Sequence, residues 1–471
     1  VRTENRPTTL RELRASGHLH RSVKAELRDN LLDRLRDGRP RFPGIVGFDA
    51  TVLPHVERAV LAGHDFVLLG ERGQGKTRLI RTLAGLLDEW TPVVAGCEIN
   101  DHPYAPVCAR CRRLAAEAGE ELPVGWLHRD DRYAEKLATP DTSVGDLIGD
   151  IDPVKVAEGR TLGDPETVHF GLVPRANRGV FSINELPDLA ERIQVALLNV
   201  LEERDIQVRG YTLRLPLDVF LVASANPEDY TNRGRIITPL KDRFGAEVRT
   251  HYPMDLADEL DLIRQEAELD HPGGAVSSVV PGYLLETVAR FTRLVRDSTS
   301  VDARSGVSAR FAIAAAETVA AAAARRAALT GEERPVARVC DLPPIVSTLR
   351  GKVEFEVSEE GREQEVLEHL LRRATAETFR RTLGTADLSG LLERFADGGT
   401  VETGELVAAS ELLQRVGRVT GLAAIMDRLD LGDGAEAPEY AASACEFALE
   451  GLFLTRRLSK DDLDGTTVYR T

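Results

Sequence analysis

Eight consecutive residues, Gly70-Glu71-Arg72-Gly73-Gln74-Gly75-Lys76-Thr77, have the types and spacing to hold a polyphosphate. They satisfy the pattern G-x-x-x-x-G-K-[ST] at every fixed position. The glycines let the backbone curl so that successive N–H groups converge on phosphate oxygens, and a helix that starts at the lysine adds its positive dipole end. Lys76 suits the β- and γ-phosphates, and the Thr77 hydroxyl suits Mg²⁺. The expected ligand is ATP with Mg²⁺.

Hydrolysis needs a carboxylate at the end of a neighbouring strand. The run Gly179-Val180-Phe181-Ser182-Ile183-Asn184-Glu185 is apolar and ends in a polar pair. Glu185 is placed to polarise an attacking water. Asn184 stands where an Asp usually binds the hydration shell of magnesium. It can accept a hydrogen bond from a metal-bound water but brings no charge, so weaker Mg²⁺ binding is expected. Asn226, in Ala223-Ser224-Ala225-Asn226-Pro227, offers an amide to orient the water. Arg243, in Asp242-Arg243-Phe244, suits an arginine finger acting on a neighbouring subunit's nucleotide; the plain alternative is a surface ion pair. Arg310, at the start of an Ala-rich helix, could reach back to the phosphates; the alternative is a solvated arginine. The expected catalytic set is therefore Glu185, Asn226, Arg243 and Arg310.

A second cluster follows the spacing C-x₄-H-x₅-C-x₂-C: Cys97, His102, Cys108 and Cys111, with His128 further on. Thiolates and imidazole are the usual ligands of structural Zn²⁺. The competing reading is a set of buried thiols acting as small apolar side chains.

These residues must be positioned by an α/β framework. Phe66–Leu69, Val180–Ile183 and Val219–Ser224 are short apolar runs of the kind that form a buried parallel sheet. Ile206–Val208 and Thr212–Leu215 flank a turn and predict a hairpin. Asp255–Ala267, Tyr283–Arg296 and Ser308–Arg326 have helical spacing. The expected organisation is a helical arm over residues 1–40, an αβα nucleotide-binding core over 41–252, an all-α lid over 253–350, and a helical region over 351–471. The 471 residues carry a formal charge of −16. That balance argues against attachment to nucleic acid by bulk charge. No apolar run reaches the roughly 20 residues that cross a bilayer, and a cytoplasmic location is expected.

With these residues in place, the chain resembles the AAA+ ATPase subunit of magnesium chelatase and the related MoxR-type ATPases. The resemblance runs from about Pro43 to Arg310. It includes Ile45-Val46-Gly47, Gly171-Leu172-Val173, Ala176-Asn177-Arg178-Gly179 leading into the carboxylate strand, the hairpin, and Ser224-Ala225-Asn226-Pro227. It implies a P-loop AAA+ core with a helical lid, in a homo-oligomeric ring that is usually hexameric, with ATP between subunits. By matching position, Asn226 is similar to sensor 1, Arg243 to the arginine finger and Arg310 to sensor 2. The resemblance also implies a partner with a von Willebrand A domain. Two departures stand out: Asn184, and an insertion at about residues 91–139 that holds the cysteines. The expected role is ATP-driven remodelling of a protein partner, or assistance to metal insertion. Alternatives are a slowly hydrolysing assembly switch and, disfavoured by charge, a DNA-associated AAA+ protein.

Overall fold

Short runs of β-branched and aromatic residues build the centre of the first half of the chain. The computed structural model describes residues 6–158, 167–202, 206–208, 211–213, 215–227, 235–269, 278–302, 306–396, 398–432, 437–463 and 466–471. Two compact units are present, Val1–His251 and Tyr252–Thr471.

The strands of the first unit are β1 (Phe66–Leu69), β2 (Trp90–Val94), β3 (Val124–His128), β4 (Tyr133–Leu137), β5 (Gly149–Ile151), β6 (Val168–Phe170), β7 (Gly179–Asn184), β8 (Ile206–Val208), β9 (Tyr211–Leu213), β10 (Val219–Ala225) and β11 (Ala246–Arg249). Five of them form one sheet in the order β11-β1-β10-β7-β4. Every pairing in it is parallel. The three apolar runs read from the sequence are its central strands. Hairpin β8–β9 pairs Ile206 with Leu213 and Val208 with Tyr211; its turn residues 209–210 lie outside the described residues.

Side chains alternate across this sheet, as the period of a strand requires. Phe66, Leu68, Val180, Phe220 and Val222 face one apolar layer. Val67, Leu69, Phe181, Ile183, Leu221 and Ala223 face the other. Helices Val23–Asp37 and Val52–Ala62 cover the first face with Val23, Leu27, Leu31, Val56 and Val60. The N-terminal stretch is thus built into the core of the first unit. Its tie is ionic as well: Arg132, just before β4, donates to both oxygens of Glu26 at 2.7 and 2.6 Å.

The segment read as an insertion ends in β4, a full member of the sheet, in which Tyr133 lies opposite Val180 and Leu137 opposite Asn184. What is added before it is the antiparallel pair β2–β3 and the loop between them, which holds helix Ala109–Ala118.

The second unit is mostly helical. Helices Leu256–Glu266, Gly282–Arg296, Ala309–Thr330, Glu363–Thr382 and Pro438–Leu454 share one apolar core. Near its end lies a small antiparallel sheet, β12 (Val401–Gly404), β13 (Ser459–Leu463) and β14 (Thr466–Arg470), ordered β12-β14-β13. A purely helical reading of residues 351–471 missed it, because the charged pairs Lys460/Asp461 and Asp461/Asp462 hide any apolar alternation. Among the described residues, no helix is long and apolar enough to cross a membrane.

Candidate active site

The loop Gly70–Gly75 leaves β1 at its carboxyl end, where Gly70 N–H donates to Ala225 O at 3.2 Å. Thr250 closes the other side: its hydroxyl donates to Gln74 Oε1 at 2.7 Å. A Cβ on Gly70 would stand 2.0 Å from Thr250 Oγ1 and 2.2 Å from Gln74 Oε1, so only glycine fits there. Gly73 and Gly75 take φ of 73° and 75°, a left-handed conformation that costs glycine little. Helix Lys76–Thr82 starts at the next residue and buries Leu79 and Ile80 in the first apolar layer.

Lys76 is 9% exposed. Its ammonium donates to the carbonyls of Gly70 and Glu71, the latter at 2.7 Å, and to Asn226 Oδ1 at 2.8 Å. Asn226 follows β10, the strand beside β1, and the parallel register brings it to the lysine. Thr77 Oγ1 donates to Asn184 Oδ1 at 3.4 Å. Ser224 Oγ donates to the same oxygen at 3.1 Å and accepts the Glu185 N–H at 3.3 Å. Glu185 takes φ of 55°, unfavourable for a residue with a Cβ; such strain gathers at functional sites. Thus Lys76, Thr77, Asn184, Glu185 and Asn226 share the carboxyl ends of three adjoining strands. An open cleft beside the loop is lined by Gly70, Glu71, Gln74, Pro227, Arg249 and Thr250. Arg72 is exposed on the outer turn of the loop.

Sequence reasoning missed Glu135 on β4. Asn184 Nδ2 donates to Glu135 Oε1 at 2.7 Å. Arg81, from the loop's own helix, grips both Glu135 oxygens at 2.8 and 3.0 Å, and the Tyr133 hydroxyl donates to Oε2 at 2.9 Å. The Arg81 hydrogen bonds, helped by Tyr133, hold the Glu135 carboxyl below its ordinary value. With hydroxyls on its oxygen and a carboxylate on its nitrogen, the Asn184 amide has one orientation. An Asp there would set carboxylate against carboxylate.

Two expected residues, Arg243 and Arg310, come from later helices. Arg243 ends the short helix Thr238–Arg243 and is ion-paired with Glu202 while half exposed. Arg310 sits in the first turn of Ala309–Thr330 in the second unit. Asn177 and Arg178 are structural: Asn177 donates to Ile99 O at 2.8 Å, and Arg178 donates to Pro92 O at 2.7 Å and Thr91 Oγ1 at 2.6 Å. Burial lowers the Arg178 pKa to about 10.

The cysteine cluster forms with a different fourth member. The ligand atoms of Cys97, Asp101, Cys108 and Cys111 all lie within 4.8 Å of one another. His102 does not join them. Its Nδ1 accepts the Tyr104 N–H at 3.0 Å and its Nε2 lies 3.2 Å from that of His18. Its ring packs on His20, and burial lowers its pKa to about 2. His128 instead packs edge-on against Trp90 and pairs with Asp130.

The chain is similar to known proteins over part of its length. The profile of the Sigma-54 interaction domain matches residues 159–243. The magnesium-chelatase subunit ChlI of Anabaena variabilis is 30% identical over 209 residues, covering 43% of this chain and 57% of that protein. The 38 kDa magnesium-chelatase subunit of Cereibacter sphaeroides is 29% identical over 278 residues, 55% of this chain and 75% of that one. A solved structure of the complex between subunits BchI and BchD of magnesium chelatase aligns at 22% identity and a TM-score of 0.37, covering 69% of this chain and 98% of that one. The chain spans little more than half the length of the first of these relatives.

Proposed function

We propose that this chain, which is similar to the ATPase subunit of magnesium chelatase, is an AAA+ ATPase that binds and hydrolyses ATP with Mg²⁺ as a homo-oligomeric ring, using the cycle to remodel a protein partner or assist metal insertion. The supporting observation is the convergence of Lys76, Thr77, Asn184 and Asn226 at the ends of β1, β7 and β10. A hexamer, and a partner with a von Willebrand A domain, are the assembly and companion that the motif resemblance favours.

The residues fit their ligands. Lys76 is held by neutral oxygens, which the charged oxygens of a phosphate displace with gain. Thr77 and Asn184 offer hard oxygen donors 3.4 Å apart, a pair suited to a cation that keeps several of its waters. Bound there, Mg²⁺ would offset charge on the phosphoryl oxygens. Glu185 takes the proton of the attacking water, its backbone fixed through Ser224. Asn226, already on Lys76, orients that water toward the terminal phosphate. Glu135 acts as a positioning residue that keeps the Asn184 oxygen toward Thr77.

Asn184 favours one other reading, an assembly switch that binds ATP and turns it over slowly, since the amide brings no charge. Calorimetry and phosphate release separate the two. The ATPase reading expects heat of association with Mg-ATP, loss of that heat in Lys76→Ala, and steady phosphate release that falls about 10²–10⁴-fold in Glu185→Gln while binding persists. Binding without turnover in the unaltered protein supports the switch. No binding at all overturns both.

A further inference from the structure

We propose that Cys97, Cys108, Cys111 and Asp101 hold a structural Zn²⁺ that orders the loop between β2 and β3. This goes beyond the ATPase reading and does not depend on it.

The loop runs for nearly thirty residues with one α-helix, Ala109–Ala118; Ile99 and Leu122 are its large fully buried apolar side chains, and Tyr104, Val107 and Leu114 pack partly buried against the same core. A metal ion would add folding energy directly to so small a set of anchors. The four ligand atoms sit within 4.8 Å of one another; a tetrahedral zinc with Zn–S bonds of about 2.3 Å needs sulfur separations of about 3.8 Å. The cysteines are free rather than paired, and their odd number would leave one thiol outside any disulfide.

The decisive observation is Asp101. It is fully buried. Its Oδ2 accepts the N–H groups of Val107 and Cys108 at 3.0 and 2.9 Å, while its Oδ1 has no hydrogen-bond partner. A buried carboxylate oxygen without a partner is costly. Here it stands within reach of three sulfurs, and a dication satisfies all four atoms together.

The outer contacts are those of a thiolate site. Asp101 N–H donates to Cys97 Sγ at 3.3 Å, and Cys111 N–H donates to Cys108 Sγ at 3.3 Å. Such donors stabilise sulfur as thiolate and fix its direction. Three soft sulfurs and one oxygen, with all but the half-buried Cys97 closed from solvent, select zinc and a structural role over magnesium or calcium. Next to the cluster, Ile99 O accepts from Asn177 at 2.8 Å, and Asn100 donates to Arg175 O at 2.8 Å. Ordering this loop therefore steadies the start of the strand that ends in Asn184 and Glu185.

The test uses the full chain purified under reducing conditions after growth with zinc. Elemental analysis should find about one zinc per chain, and cobalt substitution should give the visible bands of a tetrahedral thiolate site. A chelator should lower the melting temperature, and zinc should restore it. Asp101→Asn keeps the shape of the residue, so it should fold and hold zinc at least about tenfold more weakly; Cys111→Ser should weaken binding further. Unaltered protein that carries no zinc, gives no cobalt spectrum and ignores the chelator overturns the site. Unchanged zinc affinity in Asp101→Asn overturns the ligand set. ATP binding is measured in the same preparations; its loss without change in zinc counts against the ATPase reading alone.

Discussion

At the scale of single residues, the arrangement around Asn184 carries the sharpest expectation. Its amide bridges Thr77 and Ser224 on the oxygen side and Glu135 on the nitrogen side. Asn184→Asp alone adds the charge that AAA+ sites usually carry, yet it sets two carboxylates where a 2.7 Å hydrogen bond stood. The variant should therefore lose stability and gain no turnover. The exchange Asn184→Asp with Glu135→Gln restores a complementary pair, and a double-mutant cycle should show coupling of about 1–3 kcal/mol. Additive effects on melting and on the Mg²⁺ dependence of phosphate release would show that the two side chains act separately. The pH dependence has a fixed sign. The folded-state pKa of Glu135 is depressed, chiefly by Arg81, below its ordinary 4.5. Its stabilising share is then complete above 4.5 and is lost only as pH falls through the depressed value. Glu135→Gln should flatten melting curves in that acid range and leave their shape between pH 6 and 8 unchanged.

At the scale of elements, the helix Val23–Asp37 and the base of β4 are joined by a buried ion pair, with Arg132 and Glu26 side chains 1% and 6% exposed. Arg132 also donates to Arg178 O at 2.8 and 2.6 Å, and Glu26 accepts the Asp88 N–H at 2.7 Å. Glu26→Ala leaves a guanidinium buried without its counter-charge and should cost about 3–5 kcal/mol in urea denaturation; a cost under about 1 kcal/mol would mean that water reaches Arg132. The same elements show what can be read from sequence. β1, β7 and β10 are buried on both faces, so each appears as an apolar run, and the phosphate loop is contiguous, so its pattern is complete in eight residues. β4, Tyr-Ala-Glu-Lys-Leu, lies at the sheet edge and carries its functional Glu135 inside the strand. It offers no apolar run, and no spacing rule links residue 135 to residue 184; only the register of β4 on β7 joins them. Asp101 was hidden for a related reason. It adjoins a histidine, and histidine is the commoner zinc ligand, whereas the direction of the chain at Asn100, with φ of 57°, turns the aspartate rather than the imidazole toward the sulfurs.

At the scale of the whole molecule, the question is whether one chain completes its own site. The phosphate loop, Glu185 and Asn226 meet within the first unit, whereas Arg243 is ion-paired with Glu202 at the end of another helix and half exposed. An arginine that served its own nucleotide would lie within reach of its own phosphate loop; one that serves a neighbour belongs on an exposed edge, held by a carboxylate until assembly. On the proposed ring, Arg243→Ala should lower phosphate release by about 10³-fold while leaving ATP binding intact. Lys76→Ala removes binding but leaves its own Arg243 in place. Equal amounts of the two inactive variants, allowed to exchange subunits, then place an intact arginine against an intact loop at about a quarter of the interfaces, one half times one half. Activity should reappear toward that fraction and grow with protein concentration. A mixture as inactive as its components would assign Arg243 to its own subunit, and full activity in Arg243→Ala alone would reduce it to the surface partner of Glu202.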